Sequence, residues 1–250
     1  MEHDVIDALE AEQEALRVVV EQLDDQALAR PSRCEGWSVA DVLLHLAQTN
    51  ELAAASAAGE LESAMRSVPS VPGASDVDSW AAEAVEAERP DSAREARDRW
   101  LHSATAQVHA FRSVDGSQRV LWVSGELAAR SLATTRLAET WIHSNDITTA
   151  LGIETQPTER LWHIARLAHR TLPYAFDRAG GELGGAVAFV LDAPDGTRWT
   201  FGDPGAPTVI NGPALQLCEL AGQRSTAGQT DLAGSGPDAD GTLRFVRTFA

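Results

Sequence analysis

Two side chains that often bind metal ions, Glu139 and His143, lie four positions apart in a segment with helical periodicity. The helical pattern extends over about 126–151 and is followed by Gly152, a residue type that commonly ends helices. Side chains at positions i and i+4 of a helix are neighbours, with Cβ atoms about 6 Å apart, so one ion could contact both. Their helix face is otherwise mostly small or apolar, and it consists of Ala128, Leu132, Thr135, Glu139, His143, Asp146 and Ala150.

A purely structural explanation of this pair stays open. A buried carboxylate costs several kcal/mol unless it is paired or coordinates a metal. Glu139 could therefore form a hydrogen-bonded pair with His143, or with Arg136, without any ion. Leu137 and Trp141 lie on the opposite face of the helix. We therefore expect a helix that is buried on both sides, with its polar residues directed into a helical bundle.

A third candidate ligand, His45, lies near the polar edge of an earlier predicted helix. Together with Glu139 and His143 it makes a set of two imidazoles and one carboxylate. Three such ligands with a fourth position open are typical of catalytic zinc, whereas structural zinc prefers four ligands, mostly thiolates. Asp146, one turn beyond His143, is a candidate for orienting the imidazole or for a simple helix-end hydrogen bond. The remaining histidines have weaker patterns around them, and they are His3, His102, His109, His163 and His169.

Several amphipathic helices must position these residues. The segment 4–23 has apolar residues at helical spacing, and Ser38 with Asp41 forms a capping-box pattern at the start of the helix that contains His45. Further helical patterns cover 80–88 and about 92–111, and the segment Ser67–Asp78 is predicted to be a loop. We predict a four-helix bundle over residues 1–154.

The second part of the chain, residues 155–250, has a mixed pattern. A helix is predicted from about Thr158 to Phe176, and β-type runs over 186–191 and 197–201 flank an Asp-Gly turn, which predicts a hairpin. A third strand over 208–211, a helix over 213–223 with Pro213 at its first position, and a loop over 228–240 complete the prediction. The predicted fold class is therefore α+β, a helical bundle followed by a small α+β domain.

The composition restricts the partners of the protein. The net charge is −17, the isoelectric point is about 4.7, and all 20 basic residues are arginine. This balance argues against nucleic acid and against an anionic membrane surface as partners. The acidic start of the chain is unlike a signal peptide, and the two cysteines, Cys34 and Cys218, lie in dissimilar contexts. We therefore expect a cytoplasmic protein without disulfides.

Two segments, CEGWSVADVLLHLA (34–47) and LAETWIHSNDITTALG (137–152), resemble the mycothiol-dependent maleylpyruvate isomerase family, a branch of the DinB-like metal-binding four-helix bundles. The later segment GPALQLCELAGQR (212–224) resembles the sterol-carrier-protein-like domain that accompanies such bundles. The resemblance implies that His45, Glu139 and His143 bind a divalent metal, usually zinc, and that the low-molecular-weight thiol mycothiol is used.

The resemblance also implies a reaction, in which a thiolate adds to an activated cis double bond, the new single bond rotates, and the thiol leaves to give the trans isomer. The expected function is thiol-dependent isomerisation or thiol transfer on a small, activated and anionic substrate. Arg224 is a candidate for binding its carboxylate, because a guanidinium offers a bidentate fork, although an ordinary surface role is an open alternative. Two other functions also stay open: metal-dependent Lewis-acid or hydrolytic catalysis without a thiol, and non-catalytic binding of a small molecule by a metal-containing protein.

Overall fold

In the computed structural model the chain forms two compact units, Met1–Thr155 and Gln156–Ala250. The structure describes residues 4–67, 77–123 and 125–248. Most of the predicted loop Ser67–Asp78 lies outside the described residues, while its ends belong to flanking helices. Within the described ranges, none of the helices combines the length and the apolar character needed to cross a membrane.

The first unit is built mainly from long helices packed side by side. These helices are α1 (Val5–Val20), α3 (Val39–Ala57), α6 (Ala93–Arg112) and α7 (Ala129–Leu151). Shorter helices lie between them: α2 (Asp25–Leu28), α4 (Leu61–Ser67) and α5 (Val77–Glu88). Helices α1 and α3 each contact both α6 and α7, as in a four-helix bundle. Fully buried apolar side chains such as Leu43, Leu46 and Trp100 fill the interior, and each contributes about 1.5–3 kcal/mol by its burial.

The start of α3 is fixed by side-chain hydrogen bonds. Ser38 Oγ accepts a hydrogen bond from the Asp41 amide, and Asp41 Oδ2 accepts from the Ser38 amide at 2.9 Å, which confirms the predicted capping box. Arg89 donates to the other oxygen of Asp41 at 2.8 Å. This arrangement determines where α3 begins, and therefore which part of the bundle interior His45 reaches.

The helix that contains Glu139 and His143 is shorter at its start than predicted. It begins at Ala129, because residues 125–128 form strand β2 (Gly125–Ala128), which pairs antiparallel with β1 (Arg119–Trp122). Hydrogen bonding to β1 outweighs the helical pattern of this segment, and Gly125 has a φ of 112°, which favours glycine. At the other end the prediction is confirmed, since Gly152 ends α7 in the left-handed conformation with a φ of 71°.

The second unit combines a sheet with short helices. Its strands are β3 (Val187–Asp192), β4 (Arg198–Phe201), β5 (Thr208–Pro213) and β6 (Ala233–Ser235), in the order β4-β3-β5-β6. Its helices are α8 (Leu161–Arg170), α9 (Leu172–Arg178), α10 (Ala214–Ala221) and α11 (Ala239–Phe245). The β3–β4 pair is antiparallel, as the predicted hairpin requires, whereas β3 and β5 pair in parallel. The α+β fold class, a bundle followed by a small α+β unit, is confirmed.

Three details of the second unit differ from the prediction. The helix expected over about 158–176 begins only at Leu161 and is divided into α8 and α9, with Pro173 in the first turn of α9, where its missing N–H is tolerated. Pro213 is the last residue of β5 and the N-cap residue of α10, one position before the first helical residue where it was predicted. The predicted loop 228–240 contains β6, which becomes a strand because it pairs with β5.

Candidate metal centre

The side chains of His45, Glu139 and His143 converge in the interior of the first unit. His45 comes from α3, and the other two come from successive turns of α7. Both imidazoles are 8 % exposed, and the Glu139 carboxylate is partly buried. His45 Nε2 and His143 Nε2 lie 3.7 and 3.4 Å from the same oxygen, Glu139 Oε2. The structure therefore brings together the three side chains that the sequence suggested as ligands.

The distances between these atoms suit a shared metal ion better than direct hydrogen bonds. Hydrogen bonds between nitrogen and oxygen are usually 2.7–3.2 Å long. Two ligand atoms at tetrahedral positions about 2.05 Å from a zinc ion would be about 3.3 Å apart. One ligand atom from each of the three residues lies within 4.8 Å of the others. Two imidazole nitrogens and a carboxylate oxygen are a donor set that zinc accepts, so these residues fit a divalent ion.

The charges around this cluster keep the carboxylate ionised. Burial by itself would raise the pKa of Glu139, but its contacts with His143 and His45 and the positive charge of Arg136 hold that pKa well below its usual value. Burial is also the main reason that the pKa of His45 is lowered. A carboxylate without its proton and a neutral imidazole are the forms that bind a metal.

His143 is oriented by a second carboxylate on its own helix. Its Nδ1 lies 3.1 Å from Oδ2 of Asp146, which is completely buried. Burial lowers the pKa of His143, but Asp146, Cys34 and Glu139 together hold it well above the usual value. When Nδ1–H donates to Asp146, Nε2 is the ring nitrogen left to face Glu139 and His45. Such a carboxylate–histidine contact is the usual way in which a ligand imidazole is fixed.

The structure adds Cys34 to these neighbours. The Cys34 thiol donates to Asp146 Oδ2 at 3.2 Å, and its sulfur is 3.8 Å from His143 Nδ1. The sequence favours a small packing role for Cys34, beside Gly36-Trp37, over a role as a nucleophile. The available signal for its place near the site was that Cys34 and His45 belong to the same segment, CEGWSVADVLLHLA. Trp37 itself packs against His45, with ring centroids 5.2 Å apart.

Arg136 lies one turn before Glu139 and belongs to the same cluster. Its Nη2 is 3.9 Å from Glu139 Oε1, the carboxylate oxygen that does not face the histidines. The guanidinium carbon lies 5.1 Å from the centroid of the Trp122 ring. The alternative of a direct Glu139–Arg136 hydrogen bond is therefore not what the structure contains, since 3.9 Å exceeds a hydrogen-bond distance.

Arg224 lies in the second unit, beyond the end of α10, where its Nη1 donates to the carbonyl of Gly222 at 3.1 Å. Its role in binding a substrate stays a prediction. Cys218 also lies in the second unit, within α10; it is fully buried, and burial raises its thiol pKa. Cys34 and Cys218 do not form a disulfide.

The comparison with known protein families identifies residues 9–148 as a match to the family described as the mycothiol maleylpyruvate isomerase N-terminal domain. The matched segment covers more than half of the chain and includes His45, Glu139, His143 and Asp146. Two uncharacterized proteins of Mycobacterium tuberculosis, from strains H37Rv and CDC 1551, are each 29 % identical over 245 residues, which is 97 % of this chain and 93 % of each relative.

Solved structures with the same fold include two of mycothiol-dependent maleylpyruvate isomerase. A mutant of that enzyme superposes with a TM-score of 0.62 and 18 % identity, over 92 % of this chain and 91 % of the other. A second structure of the enzyme gives 0.58 and 19 %, over 88 % of each chain. At this level of identity the two structures establish a similarity of fold.

Proposed function

Because the chain belongs to the mycothiol maleylpyruvate isomerase family, we propose that it is a metal-dependent enzyme that uses a low-molecular-weight thiol, such as mycothiol. The reaction would be isomerisation of a small anionic substrate or transfer of the thiol to it. We further propose zinc as the metal and His45, Glu139 and His143 as its ligands. The observation that carries this proposal is the approach of two imidazole nitrogens to one carboxylate oxygen at 3.4 and 3.7 Å inside the bundle.

A zinc ion held by these residues would lower the pKa of a bound thiol and so supply a thiolate at neutral pH. The residues of the chain prepare that position. Asp146 holds His143 in the tautomer with Nδ1 protonated, and the hydrogen bond from Cys34 keeps the Asp146 carboxylate in place. Glu139 remains ionised at neutral pH, so its negative charge is available to a cation.

The thiol in this reaction is proposed to come from outside the chain. Cys218 is buried in another unit with a raised thiol pKa, and the Cys34 thiol donates its hydrogen bond to Asp146. The division into domains 1–154 and 155–250 is part of the same proposal, as is a role for Arg224 in binding the substrate. Limited proteolysis that cleaves near position 155 and leaves two stable fragments would support the division.

The test is an assay of cis–trans isomerisation of maleyl-type acids by the metal-loaded protein, with and without mycothiol. We expect activity that rises with mycothiol and saturates, that disappears in Glu139→Gln, and that is unchanged in the control Cys218→Ala. Cys34→Ser should retain thiol-dependent turnover, because the serine hydroxyl can still donate a hydrogen bond to Asp146. Metal-dependent activity that ignores added thiol would contradict the proposal and favour Lewis-acid catalysis.

A further inference from the structure

Arg136 is a buried cation whose hydrogen-bonding capacity is largely unused. The residue is only 6 % exposed. Among the described residues, its Nε and Nη1 atoms are buried and have no hydrogen-bond partner. A guanidinium carries five N–H donors and cannot lose its charge in ordinary conditions, so unused donors in the interior are costly. An unsatisfied buried polar group requires an explanation, such as a catalytic role or an ordered water or ion. A ligand acceptor is the explanation that we develop for Arg136.

The surroundings of Arg136 balance its charge only in part. The nearest carboxylate oxygen, Glu139 Oε1, is 3.9 Å away, and the other oxygen of Glu139 faces the two histidines. The Trp122 ring offers a cation–π contact at 5.1 Å, which attracts the guanidinium but accepts no conventional hydrogen bond.

A divalent ion would increase the need for a further anion. With neutral imidazoles, the site has negative charges on Glu139 and Asp146 and a positive charge on Arg136. A doubly charged cation bound to Glu139 would leave the site positive overall and would engage the carboxylate that now balances Arg136. The guanidinium would then be the cationic group left to bind a carboxylate beside the metal position.

We propose that Arg136 binds a carboxylate group of the substrate next to the metal-binding residues. The inference rests on the proposed function and adds to it the residue that holds a carboxylate of the small anionic substrate, on the Glu139 Oε1 side of the centre. Trp122, which lies over the guanidinium, is the side chain that such a ligand contacts or displaces. Arg136 is thus a binding residue contributed by the same helix as Glu139 and His143.

The experiment measures binding of maleate to the metal-loaded, full-length protein by calorimetry, without thiol and without turnover. The variants are Arg136→Met, Arg136→Lys and the control Arg130→Met, which changes an exposed arginine earlier on α7. We expect Arg130→Met to bind maleate as the parent does and Arg136→Met to bind it about 10- to 100-fold more weakly, the loss expected when a charge-assisted hydrogen bond is removed. Arg136→Lys should lie between them, because it keeps the charge without the fork.

A second readout does not depend on whether Arg136→Met folds. The neutral diamide of maleic acid should bind the parent at least about tenfold more weakly than maleate, since it lacks the anionic oxygens. Maleate should also change the tryptophan emission of the parent, and the change should be absent in Trp122→Phe.

Three outcomes would overturn the inference: equal affinity of the parent for maleate and the diamide, unchanged maleate affinity in metal-loaded Arg136→Met, or loss of metal from Arg136→Met and Arg136→Lys alike.

Maleate binding that depends on Arg136 in a protein without thiol-dependent activity would contradict the proposed function alone. Thiol-dependent turnover whose KM is the same in the parent and in Arg136→Lys, with maleate affinity also unchanged, would contradict the inference alone.

Discussion

Two groups of charged side chains in the first unit, one partly solvated and one buried in the interior, differ in how closely their members approach one another. In the Arg99 cluster (Arg99, Glu51, Glu88 and Gln48), arginine nitrogens lie 2.7–2.8 Å from both carboxylates. In the centre formed by His45, Glu139, His143 and Arg136, the corresponding distances are 3.4–3.9 Å. Arg99 forms direct hydrogen bonds with both carboxylates of the first group. The members of the second group lie farther apart, at a spacing that would suit ligands around a common ion. The close pairs fit a structural role, and the wider spacing in the interior is compatible with the proposed metal site.

The largest effect on the difference between the two clusters is expected when one of the proposed metal ligands is removed. His143→Ala should reduce the metal content from about one ion per chain to nearly none, with an affinity loss on the order of 100-fold or more, because a ligand is lost from the coordination shell. Helix content should change little. Elemental analysis after dialysis against a weak chelator provides the measurement, and a variant as metal-loaded as the parent would show that the three-ligand assignment is wrong.

A smaller effect is expected from the residue that orients the ligand. Asp146→Asn keeps the size of the side chain but removes its charge, and it should weaken metal binding by about 10- to 100-fold. Competition with a chromogenic chelator measures the affinity. Asn145→Asp, which changes the neighbouring, partly buried position, is the control for altering charge near the helix end. Equal metal affinity in Asp146→Asn and the parent would show that Asp146 does not orient His143 for metal binding.

The pH dependence of stability provides a further test, in protein stripped of metal by a chelator. The pKa of Glu139 is lowered, so its contribution is present above the unfolded carboxyl pKa of about 4.3 and is lost as pH falls through the folded value. The pKa of His143 is raised, so its contribution is full below about 6.5 and is lost as pH rises through the folded value. The attraction between these residues should therefore stabilise the metal-free protein most between about pH 4.3 and 6.5.

Urea unfolding of the stripped parent and of stripped Glu139→Gln measures this attraction. The difference in free energy of unfolding should be larger at pH 5.5 than at pH 9. A difference that grows towards pH 9 would mean that the two side chains do not form an ion pair when the metal is absent.

The smallest effect is expected in the Arg99 cluster. Arg99→Met should lower the free energy of unfolding by about 1 kcal/mol or less, because its partners remain partly solvated and can be hydrated when the arginine is gone. Its metal content should equal that of the parent. Denaturant unfolding and elemental analysis on the same preparations measure both quantities. A loss of metal in Arg99→Met would remove the distinction drawn between the two clusters.

Much of the centre could be predicted because its central residues follow helix geometry. Glu139 and His143 are neighbours on any α-helix, and Ser38, Asp41 and Gly152 have local patterns that define where α3 starts and α7 ends. The sequence could not determine distances between helices. The contact of Cys34 with Asp146 and the stacking of Trp122 on Arg136 both depend on tertiary packing, so neither follows from the spacing of residues.

Two of the incorrectly predicted parts of the fold are segments that form strands. Residues 126–128 follow a helical pattern but pair with β1, and the segment 233–235 lacks a strand pattern but pairs with β5. In both cases strand hydrogen bonds outweigh the local preference, from the adjacent β1 in a short hairpin for β2 and from the more distant β5 for β6. The β5–β6 pairing depends on tertiary packing, which the spacing of residues does not show.

Helix α7 alone carries Arg136, Glu139, His143 and Asp146, whereas His45 comes from α3. An ion bound by His45 and the α7 residues would therefore act as a cross-link between two positions that are distant along the chain. The entropy of closing such a loop grows only slowly with its length. Turns between the elements of this connection can accordingly gain or lose residues with little effect on the cross-link, provided that α6, which also lies in the connection, keeps its packing against α3. Variation in the length of those turns can thus accumulate while the ligands stay in place.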